Sequence, residues 1–247
     1  MPTIYLSPST QQANAYVTGG SEEYYMNLLA DALEPYLVAS GIGFVRNDPN
    51  QTAAAAIRES NAGNYDLHLA LHSNAAPEEN AGQVRGIDVY YYPGSQKGKD
   101  VSEIIADDFE DIYPLPERVR TLTTTRLGEV SKVRAPSTFL EIGYHDNPDD
   151  AQWIISNIPT IARSIAKSLT DYFNIPFVEP NLVRKGQVVL SSGTLNLREK
   201  PSISSHVLRS IPNGTILNVI DAYNGWYQTS FEGANGYVSA SYVDITD

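Results

Sequence analysis

The 247-residue sequence contains no cysteine. That absence removes disulfides, thiolate metal ligands and a cysteine nucleophile together, but it says little about compartment, because oxidising environments permit disulfides without demanding them. Any metal must sit on histidine, carboxylate or neutral oxygen. Histidine is scarce too, with four in the chain: His68, His72, His145 and His206. No run approaches the ~20 apolar residues that would span a bilayer, so membrane insertion is not expected. The opening residues, "MPTIYLSPSTQ", hold neither a basic leader nor a long apolar segment, and no secretory signal is recognised there. The expectation is synthesis in the cytoplasm and release to the outside by a separate route. A basic excess is missing as well, with 17 Lys and Arg against 29 Asp and Glu and a net charge of -12. Residues 184–247 balance five bases against five acids, so the whole acidic excess lies in residues 1–183. This argues against nucleic acid as a partner, and the acidity reads as a solvated surface.

What remains is an ordinary globular composition, 42% hydrophobic and 19% charged, in a chain long enough for one full-sized domain and a small one. Residues 3–6, 42–46, 66–71, 86–92 and 138–142 read as short β-rich runs, and the segments between them carry helical periodicity. The first domain is therefore α/β. In "SEEYYMNLLADALEPYLVASG", Met26, Leu29, Leu33 and Leu37 share one face, with Glu22 on that face one turn earlier and Ser21 placed to cap the helix. A last helix is expected after Asp146-Asn147, with Pro148 in its first turn, running to about Phe173 and meeting Pro159 on the way. Beyond "YFNIPFVEPNLVRKG" the pattern changes to short strands between turn signals such as "SSG", "PNG", "YNG" and "EGANG", which predicts a small β-barrel from about residue 185. Trp226, Tyr227, Phe231, Tyr237 and Tyr242 are the expected aromatic interior.

Three chemistry-bearing residues fall at ends of elements: Glu22 opening a helix, His72 and Glu141 closing strands. Ligands and bases gather at such strand ends in open α/β sheets. In "LHLALHSNA" the alternation of a strand puts His68 and His72 on one side, about 13 Å apart if extended, too far to share a metal ion. His72, last in the apolar run, is the candidate ligand; His68 reads as a hydrogen-bonded core residue. In "APSTFLEIGYHDNPDDA" a carboxylate, Glu141, follows an apolar strand directly. Burial would raise its pKa and cost free energy unless it met a cation, either a metal centre or an arginine such as Arg58 or Arg134.

Residues 1 to about 175 resemble the zinc-dependent N-acetylmuramoyl-L-alanine amidases built on a mixed sheet of roughly six strands flanked by helices. "YDLHLALHSNA" is similar to that family's strand ending in a zinc-binding histidine. "PSTFLEIGYHDN" is similar to its strand ending in a catalytic glutamate followed by Gly, an aromatic and Asn. "GFVRNDP" and "IRESNAGNYD" resemble the intervening strand and helix, in the right order. The resemblance implies Zn2+ as cofactor, Glu22 and His72 as ligands, Glu141 as general base and acid, and Asn74, Tyr144 and Asn147 as substrate-binding residues. The implied substrate is peptidoglycan, cut at the amide between N-acetylmuramic acid and L-alanine of the stem peptide. One element departs from the pattern: where the family has a histidine ligand in a Pro-Gly-His-Gly turn, this chain reads "IYLSPSTQQANAY". His145, Gln11 or Thr10 could supply the third ligand, or the site could be degenerate and metal-free. The rival functions are accordingly a wall-binding protein that does not cut, or a zinc peptidase acting within the stem peptide.

The C-terminal segment resembles a bacterial SH3-like domain, from "LNLR" followed by Pro through "GWY" to the closing "GYV". The resemblance implies cell-wall binding, with Trp226 and Tyr227 as candidate contacts; His206 is expected to be exposed and without function. The expected organisation is a catalytic domain over 1–175, a linker over 176–186 and an SH3-like domain over 187–247, as in a phage endolysin or an autolysin.

Overall fold

The computed structural model describes residues 1–180, 184–219 and 225–246, and the backbone of 221–223. Residues 181–183 of the expected linker, and Asn224 of the expected "YNG" turn, lie outside the described residues. The chain forms two compact units, Met1–Phe177 and Val178–Asp247.

The first unit is built on a six-stranded sheet of β1 (Thr3–Pro8), β2 (Gly43–Arg46), β3 (Leu67–Asn74), β4 (Ile87–Tyr91), β5 (Val119–Thr123) and β6 (Ser137–Tyr144), in the order β2-β1-β3-β6-β4-β5. All neighbours run parallel except β4 and β6. Its helices are α1 (Glu22–Ala39), α2 (Ala53–Ala62), α3 (Gln96–Glu110), the single turn α4 (Gly128–Ser131) and α5 (Pro148–Phe173). Leu67, Leu69 and Leu71 of β3, with Leu140 and Ile142 of β6, point to one face. There they meet Met26, Leu29 and Leu33 of α1 and Ile154, Ile161 and Ile165 of α5 in one core. Each such side chain fully removed from water stabilises the fold by about 1.5–3 kcal/mol. The opposite face carries a small apolar patch, Ala70, Val130 and Phe139 with Tyr90 and Leu127 against it, and beside it the buried polar side chains of Ser7, His68, His72 and Asp88.

α1 is held at its start and along its middle. Ser21 Oγ accepts from Tyr24 N at 3.1 Å, capping the start. Over the next three turns, Arg46 of β2 donates to Asn27 Oδ1 at 2.8 Å and to Asp31 and Glu34 at 2.6 and 2.7 Å. The helix that begins with Glu22 is thereby fixed against the sheet. α5 starts as its sequence signals, with Asn147 as the cap and Pro148 in the first turn, and continues through Pro159 to Phe173. Two elements were not expected. β5 gave no clean apolar alternation, and α4 is four residues long, too short for any helical period to register.

The described residues of the second unit are built on strands β7 (Arg184–Val188), β8 (Thr194–Arg198), β9 (Val207–Pro212), β10 (Ile216–Val219), β11 (Asp221–Tyr223), β12 (Trp226–Phe231), β13 (Ala234–Ser239) and β14 (Val243–Ile245), in a three-stranded sheet β10-β7-β14 and a five-stranded sheet β11-β12-β13-β8-β9. Its fully buried interior is aliphatic, Val188, Leu195, Leu197, Ile211, Leu217, Val219, Val238 and Val243, and of the five expected aromatics Tyr227 and Phe231 pack against it, partly buried. Alternation explains the difference. On β13 the inward set is Gly236 and Val238, which turns Tyr237 outward, and on β12 the inward set of Tyr227, Thr229 and Phe231 leaves Trp226 on the other side. Tyr242 is about half exposed and His206 is exposed.

Candidate active site

The polar residues of the thinly covered face converge where β3 and β6 end. β3 extends past the apolar run to Asn74, so His72 lies inside the strand and is buried rather than at an exposed end. The backbone of Ser73 and Asn74 carries no apolar signal, yet it keeps pairing with β6 through a bulge that shifts the register between His72 and Asn74. Opposite it, Gly143 sits at φ +72°, a left-handed conformation that side chains resist. In this register His72 faces Glu141 on β6, Glu141 faces Asp88 on β4, and Asp88 faces Arg120 on β5. Four side chains form a row across four adjacent strands.

At the His72 end the row meets α1 and the β1–α1 loop. His72 Nδ1 is 2.7 Å from Glu22 Oε1. Glu22 Oε2 accepts from Asn14 Nδ2 at 2.6 Å, and the Gln11 side-chain nitrogen lies 3.5 Å from Glu22 Oε1 and 3.4 Å from His72 Nδ1. Behind the ring stands Glu129 of α4, a residue that sequence reasoning did not single out. Its Oε2 is 3.1 Å from His72 Nε2, and its Oε1 takes His68 Nε2 at 3.2 Å and the Ser7 hydroxyl. His68 is completed by Ser60 Oγ at 2.9 Å from Nδ1. The two histidines thus share one carboxylate, as their common side of the strand allows, and His68 is the buried, hydrogen-bonded residue its position suggested.

These contacts set the ionisation of the site. Burial works against the charged imidazole of His72, but the hydrogen bonds to Glu129 and Glu22 outweigh it and push its pKa up to about 10. Burial likewise opposes ionisation of Glu22 and Glu129; hydrogen bonds from the histidines override it and hold both carboxyls below the usual range. Glu141 has no such support. Burial raises it to about 8; the His72 charge pulls the other way, and the Glu22 and Asp88 carboxylates push further up. Its Oε2 is buried with no hydrogen-bond partner, and it makes no ion pair with Arg58, Arg134 or any other described residue. A carboxyl held this way is the profile of a general base or acid.

The other candidates lie close by in different roles. His145 Nδ1 is 3.1 Å from Ser73 Oγ and 3.0 Å from the Ser73 carbonyl oxygen, while Tyr16 OH donates to Ser73 Oγ at 2.9 Å and its ring stacks on His145. His145 is occupied in fastening the β1–α1 loop, whose Val17 N donates to the His145 carbonyl oxygen at 3.0 Å. Asn74 Oδ1 accepts from Ala75 N, Asn147 caps α5 and donates to the Gly82 carbonyl oxygen at 2.7 Å, and Tyr144 is buried beside Asp88, Arg120 and Glu141. Thr10 stands next to Gln11 on the same loop. Trp226 and Tyr227 belong to the second unit.

Among the described residues no three His, Cys, Asp or Glu side chains are arranged to hold a metal ion. Two such side chains and one amide do come together: Glu22, His72 and Gln11. The donor chemistry fits a divalent cation, because His72 Nδ1 and Glu22 Oε1 already face each other, Glu129 supports the far ring nitrogen as a carboxylate does behind a ligand histidine, and Glu141 Oε2 is left without a protein partner. Gln11 turns its NH2 toward the pair, with its oxygen accepting from Asn14 at 3.1 Å; a half-turn of the amide presents oxygen instead.

The comparisons with known proteins give the family and the fold. A family model described as N-acetylmuramoyl-L-alanine amidase matches residues 9–171, and a bacterial SH3 domain model matches residues 193–244. The chain belongs to the N-acetylmuramoyl-L-alanine amidase family. It is an amide hydrolase acting on peptidoglycan, in a family generally dependent on zinc. Solved structures with the same fold include an N-acetylmuramoyl-L-alanine amidase of Nostoc punctiforme, at 16% identity over 70% of this chain and 97% of that one, with a TM-score of 0.61. The catalytic domain of an endolysin targeting Clostridia difficile matches at 20% identity over 69% and 98%, with a TM-score of 0.57. An amidase catalytic domain from Bacillus (Paenibacillus) polymyxa matches at 13% identity over 71% and 100%, with a TM-score of 0.61. Compared with curated proteins by sequence, the chain has no significant match. No helix among the described residues is long and apolar enough to cross a membrane.

A pH dependence follows for the metal-free amidase domain. Glu141 and His72 have folded-state pKa values raised from 4.5 and 6.5 to about 8 and about 10. Each therefore contributes stability that is complete below its unfolded pKa and is lost as pH rises through the folded one. Glu129, shifted down from 4.5, contributes above that value and loses its share as pH falls further. Chelator-treated protein is thus expected to be most stable at about pH 5–6 and to melt several degrees lower at about pH 9. Calorimetry across that range checks it; a Tm that holds steady or rises would contradict the assignment.

Proposed function

We propose that this amidase cleaves the lactyl amide of peptidoglycan with Glu141 as general base and acid, and with Glu22, His72 and Gln11 as the residues that would hold a zinc ion. The observation that carries this reading is Glu141 Oε2, buried and unpartnered beside the Glu22–His72 pair. When bound there, zinc supplies Lewis acidity to the amide carbonyl and makes an attacking water more acidic. Glu141 takes the proton from that water and passes it to the leaving alanine nitrogen, so that one carboxyl serves both halves of the reaction. Glu22 and Gln11 would hold the cation beside Glu141, and Glu129 keeps the His72 ring from turning. Exchanging a histidine for an amide weakens the hold on the metal, but leaves the base untouched. The β-barrel over 187–247, joined through 176–186, is proposed to bind the wall and to raise the concentration of the enzyme at its insoluble substrate. Asn74, Tyr144 and Asn147 are assigned to shaping the cleft rim rather than to chemistry.

The test is a digest of purified cell walls by the full chain and by residues 1–177, read by mass spectrometry. Stem peptides released with a free L-alanine amine are expected from both, more slowly from the shorter protein. New termini inside the stem peptide would identify a peptidase, and no release by a zinc-loaded full chain would identify a binding protein.

A further inference from the structure

The last member of the polar row, Arg120, is not used by the chemistry above. Its Nε and Nη2 donate to Asp88 Oδ1 and Oδ2 at 2.7 and 2.9 Å, a two-pronged grip on a carboxylate that is itself buried. Tyr90 OH adds a contact to Asp88 Oδ2 at 3.3 Å. The grip fixes the guanidinium plane and consumes one edge of it, while Nη1 makes no hydrogen bond among the described residues and the side chain is 55% exposed. A cation stands pre-oriented, open on one edge, within residues 1–183, where acids are twice as many as bases. The other ionisable groups along this row and behind it, Glu22, Glu129, Glu141 and Asp88, are acidic apart from His72 and His68.

We propose that Arg120 reads a carboxylate on the stem peptide, two residues beyond the scissile amide nitrogen at most, and so determines which stems the amidase prefers. The inference rests on the amidase reading given above. Glu141 passes its proton to the leaving nitrogen, so the peptide half of the substrate lies on the side of Glu141 away from the Glu22–His72 pair, which is the side of Asp88 and Arg120. Two strand spacings, about 10 Å, separate the Glu141 and Arg120 backbones. Two peptide residues reach up to ~7 Å, and an arginine side chain closes the rest. In peptidoglycan the unit after L-alanine is a D-glutamyl residue joined through its side chain, which leaves its α-carboxyl either free or amidated. The free carboxylate matches the open edge of a guanidinium, whereas the amide offers it a weaker acceptor.

The experiment compares kcat/KM of the full-length enzyme on two soluble glycan–peptide fragments, one bearing L-Ala-D-Glu and the other L-Ala-D-isoglutamine. The wild type is expected to favour the acidic stem about tenfold or more. Arg120→Gln, and the double variant Asp88→Asn with Arg120→Gln, which keeps the local charge balanced, are both expected to bring the ratio close to one. A wild-type ratio near one overturns the inference. So does a ratio that survives in both variants while both rates fall together, because Arg120 would then only be neutralising Asp88. If the wild type cuts neither fragment at the lactyl amide, the amidase reading itself fails and takes this inference with it.

Discussion

Glu141→Gln is expected to give a folded protein whose hydrolysis of peptidoglycan falls by about 10³-fold. Glutamine has the same shape and keeps one oxygen at the position of the carboxylate, so the packing against β3 and β4 survives; what is lost is the capacity to take a proton. The substitution also removes a group that burial and two neighbouring carboxylates, Glu22 and Asp88, make costly to ionise. The variant should therefore melt no lower than the wild type at neutral pH and somewhat higher at about pH 9, where the wild-type carboxyl must carry its charge. Activity and stability moving in opposite directions is the signature of a residue kept for chemistry at some cost to the fold. Activity within tenfold of the wild type, measured as wall turbidity loss at matched metal loading, would remove Glu141 from the mechanism.

Much of this site could be read from the sequence because its parts lie on periodic elements. The 3.6-residue period placed Glu22 on the buried face of α1 and the twofold period put His68 and His72 on one side of β3; both placements hold in the structure. The start of α5 was legible from Asn147-Pro148 for the same reason, since capping chemistry is local. The partners of those residues were not legible. Glu129 sits in a single helical turn in an irregular stretch between β5 and β6, and its importance comes from long-range contacts with His68 and His72, 61 and 57 residues away. Nothing near it in the chain announces them. The barrel interior was legible only in part: of the five aromatics counted for it Tyr227 and Phe231 pack inward, because alternation along β12 and β13 decides which side chains point in, and that register is set by pairing between strands. His145 shows the limit of spacing arguments. Its place four residues after Glu141 allowed a ligand, and the bulge at Gly143 turns its ring instead toward Ser73 and Tyr16.

Glu129→Ala should be the most damaging single substitution on the supporting side of the site. It removes one buried carboxylate and strands three donors at once, on His72, His68 and Ser7. Leaving a buried charged partner uncompensated costs about 3–5 kcal/mol, which for a domain of this size lowers Tm by roughly 10 °C. A second effect is separable from the first. With Nε2 of His72 no longer tied, the ring can rotate and its Nδ1 is no longer held toward Glu22, so zinc affinity measured by competition with a chelator should fall about 10- to 100-fold. Glu129→Gln distinguishes the two. Its carbonyl can still accept from His72 Nε2 while the amide group faces Ser7, so most of the zinc affinity should return even though the charge is gone. If the glutamine variant binds zinc no better than the alanine variant, charge rather than orientation is what Glu129 supplies. If neither variant changes zinc affinity, the metal is not held through His72, and the shared carboxylate serves only to keep two buried histidines satisfied.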